Sequence, residues 1–293
     1  HYFGYNKDYI LNKSKFEKGN FKFAVIGHIE WMNFLKVDNL PKPGIISHSQ
    51  KSFEIPAGGG SVIAKTLNDL TCNKVHFFTS LGKDFYGKRS YEILSKMGMN
   101  LHVAWRDKPT RKGFSLTDKK GERSITVIGE RLEPKLNDKL NWEILRDMDG
   151  IFLTAGDLNL LKKARTSKIL CVTPRFGIDK LNQSKIKIDS LIGSNLDPGE
   201  SYLEKDLKIK PRFIIKTEGE AGGLCIPGGR YQASELKNQK IDSYGCGDSF
   251  AAGILYGLTS EWDIEKTISL AKVLGRNCIE HFGPYPEILN LYF

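Results

Sequence analysis

The chain alternates between two hydrophobic rhythms. The first is a short continuous apolar run closed by a glycine or a turn. It recurs at residues 21–27 (FKFAVIG), 75–80 (VHFFTS), 150–154, 169–173, 190–194 and 212–217. Runs of that length between breakers predict buried strands. The second is the three-to-four-residue spacing of apolar positions over 61–70, 86–97, about 247–257 and about 263–281, which predicts helices. Alternating strands and helices predict an α/β protein, a mostly parallel sheet covered on both faces. Two stretches break the alternation. Residues 29–56 carry strand-like pieces and turns at Pro41, Pro43 and Gly44. Residues 100–128 alternate polar and apolar positions around turns at 107–109 and 118–121. They read as β-hairpins and predict a small accessory sheet. Two further short strands, 223–226 and 230–233, flank the Pro227-Gly-Gly turn.

Composition narrows the picture. The chain has 293 residues, enough to bury a core without disulfides or metal staples. No apolar run approaches the ~18 residues of a membrane span. The five cysteines, Cys72, Cys171, Cys225, Cys246 and Cys278, are odd in number and scattered, and no signal peptide is recognisable. That usage predicts a reducing, cytoplasmic setting. The six histidines are scattered as well, so no zinc site is indicated. The end, Asn290-Leu-Tyr-Phe293, looks like part of a protease-cleavage tag. The net charge of +10 is concentrated in residues 1–150, with +8 there and +2 in the remainder. A surplus of that kind is open to nucleic acid, an anionic small substrate or a solvated basic face.

The most informative stretch is 241–253 (IDSYGCGDSFAAG), a strand-like entry, a Gly-x-Gly turn, an Asp and a small-residue helix. Gly245 and Gly247 permit close backbone approach. Free amides at a helix start carry partial positive charge and suit a phosphate. Asp248 stands at the mouth of that turn. It is either a catalytic carboxylate or a simple helix cap.

Asp242-Ser-Tyr-Gly-Cys-Gly-Asp-Ser-Phe250 resembles the D-T-x-G-A-G-D-x-F signature of the ribokinase-like (PfkB) carbohydrate kinases. The resemblance runs from about 22 to 285. It takes in the strand ending at Gly27, the cluster Gly58-Gly59-Gly60, and residues 80–87 (SLGKDFYG), similar to x-x-G-x-D-x-x-G. It also takes in Asp197-Pro-Gly-Glu200, similar to N-x-x-E, and residues 216–222 (KTEGEAG), similar to T-x-G-x-x-G. This resemblance implies a three-layer α/β/α sandwich with a β-sheet lid: one domain over 21–285, with the lid at about 29–56 and 100–128. Residues 1–20 and 286–293 are terminal extensions. It implies an ATP-dependent phosphotransferase in which Asp248 is general base and the Gly245, Cys246 and Gly247 amides hold developing charge. Cys246 stands where Ala is usual, and a small filler is its simplest role. Thr217, Gly219, Gly222, Asn277 and Gly283 would line the nucleotide site. Glu200 and Asp197, the latter in place of the family's Asn, would organise Mg²⁺ through water. Asp242 would lie by a monovalent-cation (K⁺) site.

The substrate half departs from that pattern. The lid-strand position usually held by Asp is Met32, and the helix position usually held by Asn is Val62. The nearest carboxylate is Glu30, either a hydroxyl acceptor or an exposed strand residue. Trp31 is either a stacking surface or a packed aromatic. Gly58, Gly59, Gly60, Asp157 and Arg111 complete the candidate substrate contacts. Arg111 belongs to a basic set (Arg106, Lys108, Arg111, Lys112, Lys119, Lys120, Arg123) suited to a phosphorylated sugar or simply to solvent. The implied partners are a sugar-like substrate and ATP, with homodimerisation through the lid and neither nucleic acid nor membrane. No nucleic-acid motif and no Walker P-loop is present. A nucleoside kinase of the same family and a non-catalytic sugar- or nucleotide-binding regulator are the other readings.

Overall fold

The structure is a computed structural model that describes residues 16–288; the tag-like end at 290–293 and residues 1–15 lie outside them. The chain opens with β1 (Phe23–Ile26), β2 (Glu30–Lys36) and β3 (Lys51–Ala57), then α1 (Gly59–Leu70) and β4 (His76–Gly82). Next come α2 (Phe85–Ser95), β5 (Asn100–Arg106), β6 (Lys112–Thr117) and β7 (Arg123–Ile128). The α/β rhythm resumes with β8 (Gly150–Leu153), α3 (Leu158–Ala164), β9 (Ile169–Val172), α4 (Ile178–Ser184), β10 (Ser190–Ser194) and β11 (Phe213–Thr217). It closes with β12 (Gly223–Ile226), β13 (Gly229–Tyr231), α5 (Cys246–Thr259) and α6 (Ile264–Ile279).

Nine strands form one sheet in the order β13-β12-β11-β10-β9-β8-β1-β4-β5, parallel from β11 to β5. β1 explains the layering. All four of its residues are fully buried, and their period of two sends Phe23 and Val25 to one face and Ala24 and Ile26 to the other. On the first face they meet Ile63 and Leu67 of α1, Leu255 of α5 and Leu270 of α6. On the second they meet Leu160 and Leu161 of α3 and Leu181 of α4. The predicted three-layer α/β architecture is therefore present.

A second sheet, β3-β2-β6-β7, stands apart as a lid. Its make-up corrects one boundary. Residues 100–106, read as the first lid hairpin, form β5 and pair in parallel with β4 at the edge of the large sheet. The reason is α2, which supplies the long crossover that a parallel pair requires. The predicted strand entering the Gly-x-Gly turn is also absent: residues 241–243 join no sheet. Helices α3 and α4 escaped the sequence reading because seven residues carry too little periodic signal.

The β4–β5 edge carries an acid-sensitive pair. His76 Nδ1 and His102 Nε2 lie 2.9 Å apart, and His102 stacks on Phe78 with centroids 4.2 Å apart. Burial, with the neighbouring His76 charge, pushes His102 down to about 4; burial lowers His76 as well. The unfolded chain then binds more protons than the fold below the ordinary value of 6.5. Stability is intact above that value and is lost as pH falls toward 4. For a half-exposed pair the loss is about 1–2 kcal/mol after discounting for solvent. Thermal melts should show a lower Tm at pH 5 than at pH 7, and His102→Gln should flatten that dependence.

Candidate active site

Sheet order fixes where a ligand can bind. From β1 the chain builds β4 and β5 on one side and β8 to β11 on the other. The crevice at the carboxyl ends of β1 and β8 is the switch point where open α/β sheets take ligands. Glu30 follows β1 there, and α5 points its N-terminus toward the same region.

The phosphate turn has the predicted form. Gly245 adopts φ 79°, a left-handed conformation costly for other residues, and α5 starts at Cys246. The first helical bond runs from Ser249 N to Gly245 O at 2.8 Å. The amides of Cys246, Gly247 and Asp248 precede it and have no intrahelical carbonyl to reach. Gly247 is exposed, and a Cβ there would meet no atom within 4 Å. The turn thus presents open donors at the positive end of a helix.

The N-cap of α5 is Gly245, and Asp248 is the third residue of the helix, in its first turn. Its carboxyl is pushed up to about 7, first by burial and then by the charge of Glu200, with Glu30 adding. Arg123 and Arg175 pull the other way. A carboxylate that changes protonation near neutrality is suited to accept a proton from a hydroxyl. Cys246 is not placed for nucleophilic work. A hydrogen bond with Cys278, together with burial, pushes its thiol well above the usual range.

The glycine cluster shapes the space facing Asp248. Gly58 has φ 102° and caps α1, and its amide donates to the Tyr244 hydroxyl at 3.1 Å. A Cβ on Gly59 would lie 2.8 Å from Asp248 Oδ1. One on Gly60 would lie 2.9 Å from Gly27 Cα. These glycines let α1 start against the end of β1 and beside the carboxylate, so the helix begins two residues earlier than the sequence predicted.

On the substrate side, Glu30 is buried. Its Oε1 lies 3.5 Å from His28 Nε2 and 3.6 Å from Arg111 Nε. Burial alone would raise its pKa. The His28 contact and the charges of Arg111 and Arg131 overcome that and hold Glu30 below the usual carboxylate range. Burial pushes the His28 imidazole below its usual value, against the opposing pull of Glu30. Buried His28 Nδ1 and Arg111 Nε beside Glu30, and Thr154 Oγ1 against Gly27, make no hydrogen bond among the described residues. Buried polar atoms without protein partners call for a bound molecule or ordered water to satisfy them. Sequence reasoning missed His28, Thr154 and Arg131. Trp31 is packed: its indole donates to Glu54 at 2.8 Å, and its ring meets Tyr86. Met32 and Val62 are both fully buried and share one apolar cluster with Phe34, Ala57 and Tyr244.

The 80–87 motif proves to be a brace. Asp84 caps α2 through Gly87 N at 2.8 Å and also accepts from Thr110 N at 2.7 Å. Thr110 Oγ1 also donates to Asp84 Oδ1 at 2.8 Å, so two hydrogen bonds fix Thr110 and with it the neighbouring Arg111. Asp157 is occupied as the cap of α3: Oδ1 accepts from Leu160 N at 2.8 Å and Oδ2 from Leu136 N at 3.1 Å.

Arg175 gathers the two acids read as metal organisers. Its Nε donates to Glu200 Oε1 at 2.9 Å, and Nη2 pairs with Asp197. Glu200 Oε2 accepts Ser194 N at 2.6 Å, and Asp197 Oδ1 accepts Gly199 N at 2.8 Å. Among the described residues no three His, Cys, Asp or Glu side chains form a metal-holding group. Asp242 is fully buried. Its Oδ1 accepts from Tyr244 N and Thr117 Oγ1, and its Oδ2 from Gly283 N.

The nucleotide-loop residues stand at the far end of β11. Thr217 ends that strand, and Glu218 N bonds Gly222 O at 2.8 Å to close the loop around Gly219 (φ 59°). Gly222 has φ 87° and abuts Tyr231 O, which leaves no room for a side chain. Asn277 donates to Glu287 O at 3.3 Å. Gly283 has φ 103° and packs on Phe53 of the lid.

The sequence matches the pfkB family carbohydrate kinases over residues 20–172 and 180–289. It is 23% identical to a ribokinase of Arabidopsis thaliana, over 90% of this chain and 78% of that one. It is 19% identical to a nucleoside kinase of Methanothermobacter thermautotrophicus, over 90% and 91% of the two. The fold resembles that of an adenosine kinase from Sinorhizobium meliloti, with a TM-score of 0.72, 17% identity and coverage of 93% and 97%. Among the described residues no helix is long and apolar enough to cross a membrane.

Proposed function

The chain belongs to the pfkB family of carbohydrate kinases, and on that premise we propose that it transfers the γ-phosphate of ATP to a sugar hydroxyl, with Asp248 as general base. The observation that carries this reading is the pairing of open turn amides with a carboxyl pushed up to about 7 in one crevice. The acceptor lies between Glu30 and Asp248. Glu30, held ionised, accepts hydrogen bonds from hydroxyls that do not react. Asp248 orients the reacting hydroxyl and takes its proton as the phosphoryl group is received. The amides of Gly245, Cys246 and Gly247 face charge that grows on the phosphoryl oxygens. The 217–222 loop, with Asn277, borders the nucleotide.

The donor set Glu200 and Asp197 is hard oxygen, as Mg²⁺ requires, but Arg175 already binds both carboxylates. They fit an ion that stays largely hydrated and is carried on the triphosphate, with Glu200 reaching its water. When bound, that ion neutralises phosphate charge. Asp242, fully engaged by three neutral donors, is the proposed neighbour of a monovalent cation; the potassium dependence of turnover tests it.

A nucleoside acceptor is the second reading, favoured by the nucleoside kinase relative. Purified protein with Mg-ATP should phosphorylate at least one member of a panel of pentoses, hexoses, their phosphates and nucleosides. Product mapping then separates the two acceptors. ATP and sugar binding without any transfer across the panel would instead identify a non-catalytic regulator.

A further inference from the structure

Residues 241–243, which lead into the phosphate turn, are held by the lid rather than by a sheet. Lys36 of β2 donates from Nζ to Ile241 O at 2.8 Å and to Asp118 O at 2.7 Å. Thr117 of β6 donates to Asp242 Oδ1 at 3.2 Å. Arg123 of β7 donates from Nη1 to Ser243 O, and its guanidinium lies over the Tyr244 ring, 5.6 Å from the centroid. Three lid strands thus grip three consecutive residues. From the other side, the amides of Ile241 and Asp242 reach only Ile279 O. Lys240 adds an ion pair to Glu122 at 2.7 Å.

We propose that Arg123, supported by Lys36 and Thr117, is a positioning residue that couples the lid to the Gly-x-Gly turn, fixing the turn amides and holding a positive charge at the entrance to the turn that carries Asp248. The catalytic part rests on the phosphoryl-transfer reading; the mechanical part does not. Tyr244 links the two halves. It carries Arg123 on its ring, accepts from Gly58 N through its hydroxyl, and its backbone oxygen accepts from Cys278. A lid displaced from the turn therefore loosens the Gly58 corner as well. The charges that act on Asp248 are those of Glu30 from β2, Glu200 from the turn after β10, Arg175 from the loop after β9 and Arg123 from β7. Of the two cations, Arg175 is neutralised by Asp197 and Glu200, whereas among the described residues Arg123 meets a carbonyl and a ring and no carboxylate.

Two readouts test this. Hydrogen–deuterium exchange of peptides covering 241–250 needs no turnover. Arg123→Gln and Lys36→Met should each speed exchange there by at least about threefold, with the rest of the large sheet unchanged. In turnover assays Arg123→Gln should lower kcat about tenfold with little change in the KM for Mg-ATP. It should also move the acidic limb of the pH profile upward, and Arg123→Lys should restore much of both. Wild-type exchange in both variants overturns the mechanical coupling. A wild-type pH profile and kcat in Arg123→Gln overturn the catalytic role. If the wild-type protein phosphorylates no acceptor, the kinase reading falls with the catalytic role, and exchange still decides the coupling.

Discussion

Asp248→Asn should lower kcat by about 10³-fold or more, in the upper part of the range for loss of a positioned general base. Asn keeps the size and hydrogen-bonding shape of the side chain, so acceptor KM should change little. The carboxyl changes protonation at about 7, so the wild-type enzyme should lose activity tenfold for each pH step of one below that point. Stability should move the opposite way. The folded-state pKa lies above the ordinary 3.8, so the fold binds more protons than the unfolded chain between those values, and stability declines as pH rises through them. At pH 8 the native site carries a penalty of at most roughly 4 kcal/mol. Asp248→Asn removes it, and melts at pH 8 should show a higher Tm than wild type. Unchanged kcat would remove Asp248 from the chemistry; a lower Tm would contradict the electrostatic account.

Gly59→Ala should also cripple the enzyme, with the backbone left intact. The added methyl would stand 2.8 Å from Asp248 Oδ1, closer than van der Waals contact allows. The short Asp side chain must turn away, and a misplacement of about 1 Å costs on the order of 10²-fold. Gly59 is the first residue of α1 and is not in a left-handed conformation. Alanine there removes a helix penalty of up to about 1 kcal/mol. The expected signature is therefore a collapse of kcat with a Tm equal to or above wild type. A variant with normal kcat would show that Asp248 need not occupy the observed position.

The form of the Gly-x-Gly turn was legible because its signal is local: glycines, a helix start and an acid lie within four residues. Buried strands such as β1 were legible because both faces are apolar. The lid boundary at residue 100 was not, because β5 differs from a hairpin strand only in its partner, and the partner is set by α2. Strand-like polarity at 241–243 misled because its polar groups are satisfied by Lys36, Thr117 and Arg123, each more than a hundred residues away. Likewise His28 looks like an ordinary strand-end residue until the fold places it 3.5 Å from Glu30. Asp157 shows the converse: a carboxylate at a strand's carboxyl end read as a ligand contact, yet both its oxygens are taken by backbone amides.

The buried pair Met32 and Val62 has a consequence for selectivity. Sites that bind a hydroxyl through a buried polar group reject the deoxygenated analogue by about 10⁴-fold, because that group is left without a partner. An apolar wall leaves nothing unpaired. Met32 and Val62, fully buried and in one apolar cluster with Tyr244, offer no polar group at the positions where the family resemblance places acceptor contacts. On the proposed kinase reading, polar discrimination is left to Glu30 and Asp248, and an acceptor lacking a hydroxyl on the Met32 and Val62 side should be turned over nearly as well as its parent.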